Sequence, residues 1–162
     1  MTRTIGFRAT PDRVYYAVIE FDTDSMTVLS VDTINIPKSL EEPEQLKTLR
    51  SIALDIINEN NISKCCIKFI EGNAQLNTSM IPRIRIEGVL QELVASSTIQ
   101  KYKNVKISQI AGLLRCNSSS ISPFINGEIN INEHNLNSDF ISDFKKLEER
   151  EAVITAIAAF YL

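Results

Sequence analysis

Residues 13–21, RVYYAVIEF, are apolar on both faces of a strand: Val14, Tyr16 and Val18 point one way, and Tyr15, Ala17, Ile19 and Phe21 the other. A strand with no face to give to water belongs inside a sheet rather than at its edge. TIGFRA, residues 4–9, leads into it through the turn TPD, and MTVLSVDTINI, residues 26–36, follows the polar turn DTDS. That third strand is rich in Thr, Ser and Asp, which suits an edge, and Pro37 closes it.

The pattern then changes period. Ser39 followed by Glu42, with Pro43 beyond, has the form of a capping-box helix start, and Leu46, Leu49, Ala53, Ile56 and Ile57 recur as one buried stripe until NENN ends it. SKCCIKFI, residues 63–70, reads as a short apolar strand and EGNAQLNTS as a loop. PRIRIEGVLQELVASS reads as a second helix with Ile86, Val89, Leu90, Leu93 and Val94 inward and Gly88 marking close packing. NVKISQI, residues 104–110, is the fifth expected strand. Residues 116–139, dominated by Asn and Ser, read as a long loop or insertion with a hairpin at NGE, either a binding loop or slack.

The last expected helix, residues 139–162, carries Phe140, Phe144, Leu147, Ile154, Ala158 and Tyr161 on one stripe, and the residue missing from that stripe is Glu151. A carboxylate there either needs a partner, a metal or a water-filled cleft, or sits at the stripe's solvated border.

A chain of 162 residues is the size of one domain and buries roughly two-thirds of its unfolded surface. We expect residues 1–162 to form it. No apolar run approaches the roughly 20 residues that cross a bilayer, and MTRTIGFRA has no apolar signal core, so a cytoplasmic, non-membrane protein is expected. Cys65 and Cys66 are adjacent and point to opposite faces, which suits reduced packing thiols; His134 alone, with no CxxC pair, gives no zinc set. A net charge of −3 speaks against avid sequence-independent nucleic-acid binding. Local basic patches remain: Arg83 and Arg85 at the second helix, and Lys101, Tyr102, Lys103 and Lys106 around the fifth strand, either a nucleic-acid surface with one stacking aromatic or a solvated face. RIRIEG reads as a phosphate clamp or as arginines paired with Glu87 or Glu92. Five glycines and no GxxxxGK[ST] disfavour an actin-like nucleotide site, and no nucleophile elbow supports a Ser-His-Asp hydrolase.

Three strands, a helix, a strand, a helix, a strand and a final helix resemble the ribonuclease H-like superfamily over nearly the whole chain. IGFRA, RIRIEGVLQELV and EREAVITAIAAF look most like its Holliday-junction resolvase (RuvC-like) branch and small relatives. The resemblance implies an α/β fold with a five-stranded mixed sheet, order 3-2-1-4-5, strand 2 antiparallel, flanked by helices. It also implies clustered carboxylates holding two divalent ions for phosphodiester hydrolysis.

The first of those acids follows a hydrophobic-Gly-hydrophobic triplet, here Ile5, Gly6 and Phe7, and the matching position is Arg8, which cannot ligate a metal. Asp12 lies about 13 Å farther along and is no substitute. The second falls on Phe69, or by a two-residue shift on Glu71; the last is kept as Glu151, with Glu148 one turn earlier, and Glu87 is a further candidate. The expectation that follows is a catalytically degenerate domain without metal or cofactor, in which Arg8 replaces a metal's charge and pairs with Glu151. Such a domain would be an accessory subunit bound to a protein partner, and to nucleic acid, in a nucleic-acid-processing or defence assembly. The alternative is a Mg- or Mn-dependent nuclease in which Glu71, Glu87 and Glu151 converge.

Overall fold

The computed structural model describes residues 1–72, 75, 77–128 and 144–162. Strands β1 (Thr2–Ala9), β2 (Arg13–Phe21), β3 (Met26–Asn35), β4 (Lys64–Lys68) and β5 (Lys101–Val105) form one sheet in the order β3-β2-β1-β4-β5. β2 runs antiparallel to β1 and β3, while β4 is parallel to β1 and β5. This is the expected mixed sheet. Helices α1 (Glu42–Glu59) and α2 (Met80–Val94) cover one face; α3 (Ile107–Leu113), α4 (Ser118–Asn126) and α5 (Leu147–Phe160) cover the other.

β2 shows why the sheet needs two covers. Its Val14 and Val18 join the core under α1 and α2, whereas Tyr15, Ala17, Ile19 and Phe21 join the core under α5. Each apolar face therefore leaves water separately, the larger part of what stabilises a layered domain.

Five sequence expectations are corrected. The first helix begins after Glu41 in extended conformation rather than in a Ser39 box, with Pro43 in the first turn, where its missing N–H costs nothing. The fifth strand ends at Val105: the Gln109 side chain accepts the Lys106 backbone N–H at 2.9 Å, and Ile107 starts a helix instead of continuing the strand. Within 116–139, residues Ser118–Asn126 are helical with Ile121, Phe124 and Ile125 buried. At NGE, Asn126 ends α4 and Gly127 takes the left-handed conformation, φ 76°, that terminates it, so a helix rather than a strand leads into the expected hairpin. The remainder of that segment, with His134 and Phe140, lies outside the described residues.

Gly88, the fifth, marks no close approach, since a Cβ there would meet nothing within 4 Å. Gly6 is the packing glycine: an added Cβ would lie 2.8 Å from the Thr155 carbonyl carbon and closer still to Ala156 N and Ala152 O. β1 and α5 thus touch backbone to backbone.

That approach lets α5 sink into the domain. Residues 151–159 are all buried, so this part of the helix has no single inward stripe. Ala152, Thr155, Ala156, Ala158 and Ala159 are small enough to allow it, and Thr4 Oγ1 donates to Ala156 O at 2.7 Å, tying β1 to the helix. Leu147 and Tyr161, expected on the buried stripe, are exposed.

Candidate active site

β1 and β4 are parallel, and their carboxyl ends place Arg8 beside Lys68 in register. Neighbouring residues on adjacent strands share a face. Cys66, two residues before Lys68, packs in the α5-side core, so Lys68 and Arg8 both face the N-terminal half of α5. Strand parity puts Phe69 on the opposite side, where it packs against the α1/α2 core. The residue occupying the second expected position on the Arg8 face is therefore Lys68, which sequence reading passed over.

Glu151 sits one turn into α5, and its carboxylate accepts a hydrogen bond from Arg8 Nε. The two side chains are 14% and 8% exposed, so the carboxylate on the buried helix has a partner and does not lie at a solvated border. Arg8 Nη1 also donates to Ala9 O, which fixes the guanidinium against its own strand.

From the opposite side of the sheet, α2 adds a second pair. Arg83 Nε donates to Glu87 Oε1 at 2.8 Å, an i,i+4 pair with both side chains largely buried. Burial pushes the Glu87 carboxyl up from its ordinary range; the Arg83 hydrogen bond, the charges of Arg83 and Arg8 and the Ile70 backbone N–H pull the other way without cancelling it. Burial likewise lowers Arg83, and the nearby positive charge of Arg8 lowers it further, while Glu87 and Glu151 oppose both. Arg8, Arg83, Glu87 and Glu151 are thus one electrostatic cluster.

The third pair closes the end of β4. Buried Lys68 donates through Nζ to Glu71 Oε1 at 2.5 Å and to Phe69 O at 2.9 Å, and the Ile107 N–H donates to the same Glu71 oxygen at 3.0 Å. Burial raises Glu71, but these two hydrogen bonds and the charges of Lys68 and Lys106 outweigh it and hold the carboxyl below the usual range.

The remaining candidates lie elsewhere. Glu148 is half-buried in the first turn of α5. Arg85 pairs with Glu42 across α1 and α2, away from the cleft. On the β5 edge, Lys101 Nζ donates to Leu162 O at 2.6 Å, Lys103 is exposed and Tyr102 is partly exposed, its hydroxyl pushed up to about 12 chiefly by burial. Lys106 caps the start of α3 near Glu71.

Three carboxylates, on α2, on α5 and in the loop after β4, are therefore each paired with a base. Among the described residues no group of three or more His, Cys, Asp and Glu side chains is arranged to hold a metal ion. Glu151, Glu87 and Glu71 each have a guanidinium or ammonium where an ion would sit, so the donor set in this arrangement does not fit a pair of divalent cations.

No family model matches the chain. A curated relative, the crossover junction endodeoxyribonuclease RuvC of Halothermothrix orenii, is 26% identical over 122 residues, 74% of each chain. Two solved structures of RuvC from T. thermophilus are similar in fold. The one in complex with a Holliday junction substrate has a TM-score of 0.70 at 10% identity, covering 99% of this chain and 94% of that one. The other has a TM-score of 0.66 at 10% identity, with 99% and 93% covered. A Fowlpox virus resolvase with its Holliday junction DNA follows at a TM-score of 0.56 and 14% identity, with 97% and 95% covered.

These findings overturn two expectations. A degenerate accessory domain does not agree with relatives that are junction-cleaving enzymes, and the expected absence of a cofactor does not agree with RuvC-like resolvases, which use magnesium or manganese. Arg8 on β1 removes one acid from the cleft, while Glu71, Glu87 and Glu151 remain as carboxylates on other segments. No helix among the described residues is long and apolar enough to cross a membrane. The chain has the ribonuclease H-like fold of the RuvC-type junction resolvases and is similar in sequence to one of them.

Proposed function

We propose that this chain cuts branched DNA as a magnesium- or manganese-dependent nuclease of the RuvC type, in which Glu71, Glu87 and Glu151 would form a rearranged carboxylate set only once released from the bases that pair with them in this arrangement. The observation that carries the reading is that Glu87 on α2 and Glu151 on α5 share one electrostatic cluster with Arg8 and Arg83 at the carboxyl end of β1, with Glu71 held by Lys68 just beyond the end of the neighbouring strand β4. Crevices beyond the carboxyl ends of parallel strands are where open α/β sheets take their ligands. The curated relative's name supplies the reaction class.

The chain's own groups suit in-line displacement at phosphorus. Arg8, Arg83 and Lys68 attract the phosphodiester and stabilise charge that builds on its oxygens. Water forms the new P–O bond as the bond to the departing oxygen breaks; the Glu151 carboxylate takes the proton from water at Oε2. Glu87, whose carboxyl burial pushes up, gives a proton to the leaving oxygen once Arg83 Nε no longer occupies its Oε1.

Incubating the purified chain with four-way-junction, nicked, single-stranded and hybrid substrates in Mg²⁺, Mn²⁺ or EDTA tests the proposal. Strand scission is expected on the junction with either ion and not in EDTA. Glu151→Gln and Glu87→Gln should each slow it about 100-fold or more, the usual weight of a positioned acid or base. No scission of any substrate with either ion would refute the reading.

A further inference from the structure

We propose that Arg83 and Arg8 form a phosphodiester clamp, in which an incoming DNA phosphate takes over guanidinium hydrogen bonds and thereby frees the carboxylates of Glu87 and Glu151. The inference rests on the DNA-acting reading above and says how the paired acids become available to it.

Hydrogen-bond capacity left over on Arg83 is the first support. A guanidinium has five N–H donors in a planar fork. Among the described residues Arg83 uses only Nε, towards Glu87, and neither terminal nitrogen is a buried atom lacking a partner. Among the described residues its terminal nitrogens thus have no carboxylate acceptor, and the side chain keeps 14% of its surface exposed. Arg8 commits Nε and Nη1 and retains Nη2.

Charge placement is the second. Arg8 lies close enough to Arg83 for their like charges to oppose each other, and each also feels the other's carboxylate partner. Two largely buried guanidinium groups this close together suit an anion with two parallel acceptor oxygens, which a phosphodiester supplies. Each existing pair is made through a single Nε contact rather than a two-point fork, so phosphate can offer a geometry that Glu87 and Glu151 do not use.

The third is Lys68, buried and in register beside Arg8. Its ammonium is held by Glu71 and Phe69 O, and the next cation on that face is exposed Lys103 of β5, in register with Cys66 of β4.

The test is binding of a fluorescent four-way junction by anisotropy in EDTA, across a salt series, so that cleavage plays no part. Arg83→Gln and Arg8→Gln should each weaken binding and flatten the log–log salt slope by about 1, the loss of one phosphate contact. Arg83→Lys, which keeps charge without the fork, should recover part of the affinity. Glu87→Gln, which releases Arg83, should bind tighter than wild type, a change of sign that a purely structural pair does not give. Arg85→Gln, outside the cleft, serves as the control.

No junction binding by the wild type in EDTA, an unchanged slope in both arginine variants, or weaker binding by Glu87→Gln would each overturn the clamp. Circular dichroism checks that each variant is folded, and the Glu87→Gln result stands even if an arginine variant is not. Intact clamp behaviour with no scission in Mg²⁺ or Mn²⁺ refutes the nuclease reading alone; scission without arginine-dependent binding refutes the clamp alone.

Discussion

Replacing Gly6 with alanine tests whether backbone contact between β1 and α5 builds the site. The new Cβ falls within 2.8 Å of the Thr155 carbonyl carbon and nearer to Ala156 N and Ala152 O, all main-chain atoms that cannot rotate away. Either the strand or the helix must move. Overpacking of a well-filled core costs about 1–3 kcal/mol, and backbone obstruction belongs at the upper end. The same movement lengthens the Thr4 to Ala156 hydrogen bond, worth about another 1 kcal/mol.

A loss of about 3–4 kcal/mol should lower the melting temperature by roughly 6–16 °C for a chain of this size, and shift the urea midpoint by roughly 1.5–2 M at a slope near 2 kcal/mol/M. Gly88→Ala is the internal comparison. It sits inside α2 with nothing within 4 Å of the added carbon, so it should stabilise by about 0.5–1 kcal/mol. Gly6→Ala within 0.5 kcal/mol of wild type, or Gly88→Ala equally destabilising, would show that the close approach does not govern this packing.

Three further outcomes follow from the charged groups. Arg8→Met alone or Glu151→Leu alone should cost about 3–5 kcal/mol in urea unfolding by stranding a buried charge, while the double variant should recover most of that loss; additive losses would refute direct pairing. Glu71 and Glu87 should bend the pH–stability curve in opposite senses. Glu71, held low, contributes stability that is present above its unfolded value and lost as pH falls through its folded one. Glu87, held high, carries full stability below its unfolded value and loses it as pH rises through its folded one. Urea titrations from pH 3 to 7 should therefore flatten at the acid end in Glu71→Gln and at the upper end in Glu87→Gln, and an identical change in both would be wrong. Arg150→Gln removes donors to Ile125 O at 2.5 Å and Phe144 O at 2.7 Å, and should cost about 2–3 kcal/mol; an unchanged midpoint would mean these contacts are not made in solution.

Much of the fold was legible because β2 alternates two apolar faces and β3 is visibly polar, which orders half the sheet before any helix is considered. Composition hid the rest. SSSISPFIN reads as loop by its serines, yet Ile121, Phe124 and Ile125 have helical spacing and fill the core under α5. β5 was misplaced because its own residues, KYKNV, are polar edge residues, while the apolar ISQI beyond them is the first turn of a helix. At the site, Arg8 and Glu151 could be singled out from sequence, and the i,i+4 spacing of Arg83 and Glu87 announced their pairing. Lys68 could have been found by parity: it shares a strand face with Cys66, and a lysine on the buried face of an apolar strand needs a carboxylate, which Glu71 supplies.

Packing gives no reason for six ionisable groups at one end of this sheet. Desolvating ion pairs takes back most of what their attraction returns, and apolar replacements of similar volume are often as stable or more so. Nearby positions on the same elements show what plain packing looks like: Ile67 on β4, Ile86 and Leu90 on α2, and Ala152 and Ala156 on α5 are apolar and fully or almost fully buried. Glu87 is held above its ordinary range and Arg83 below its own, so both give up charge stability to remain where they are. The proposed clamp gives such a cluster a reason: an anion drawn to Arg83 and Arg8 would release Glu87 and Glu151, the acid–base groups the proposed reaction needs once that anion is a phosphodiester.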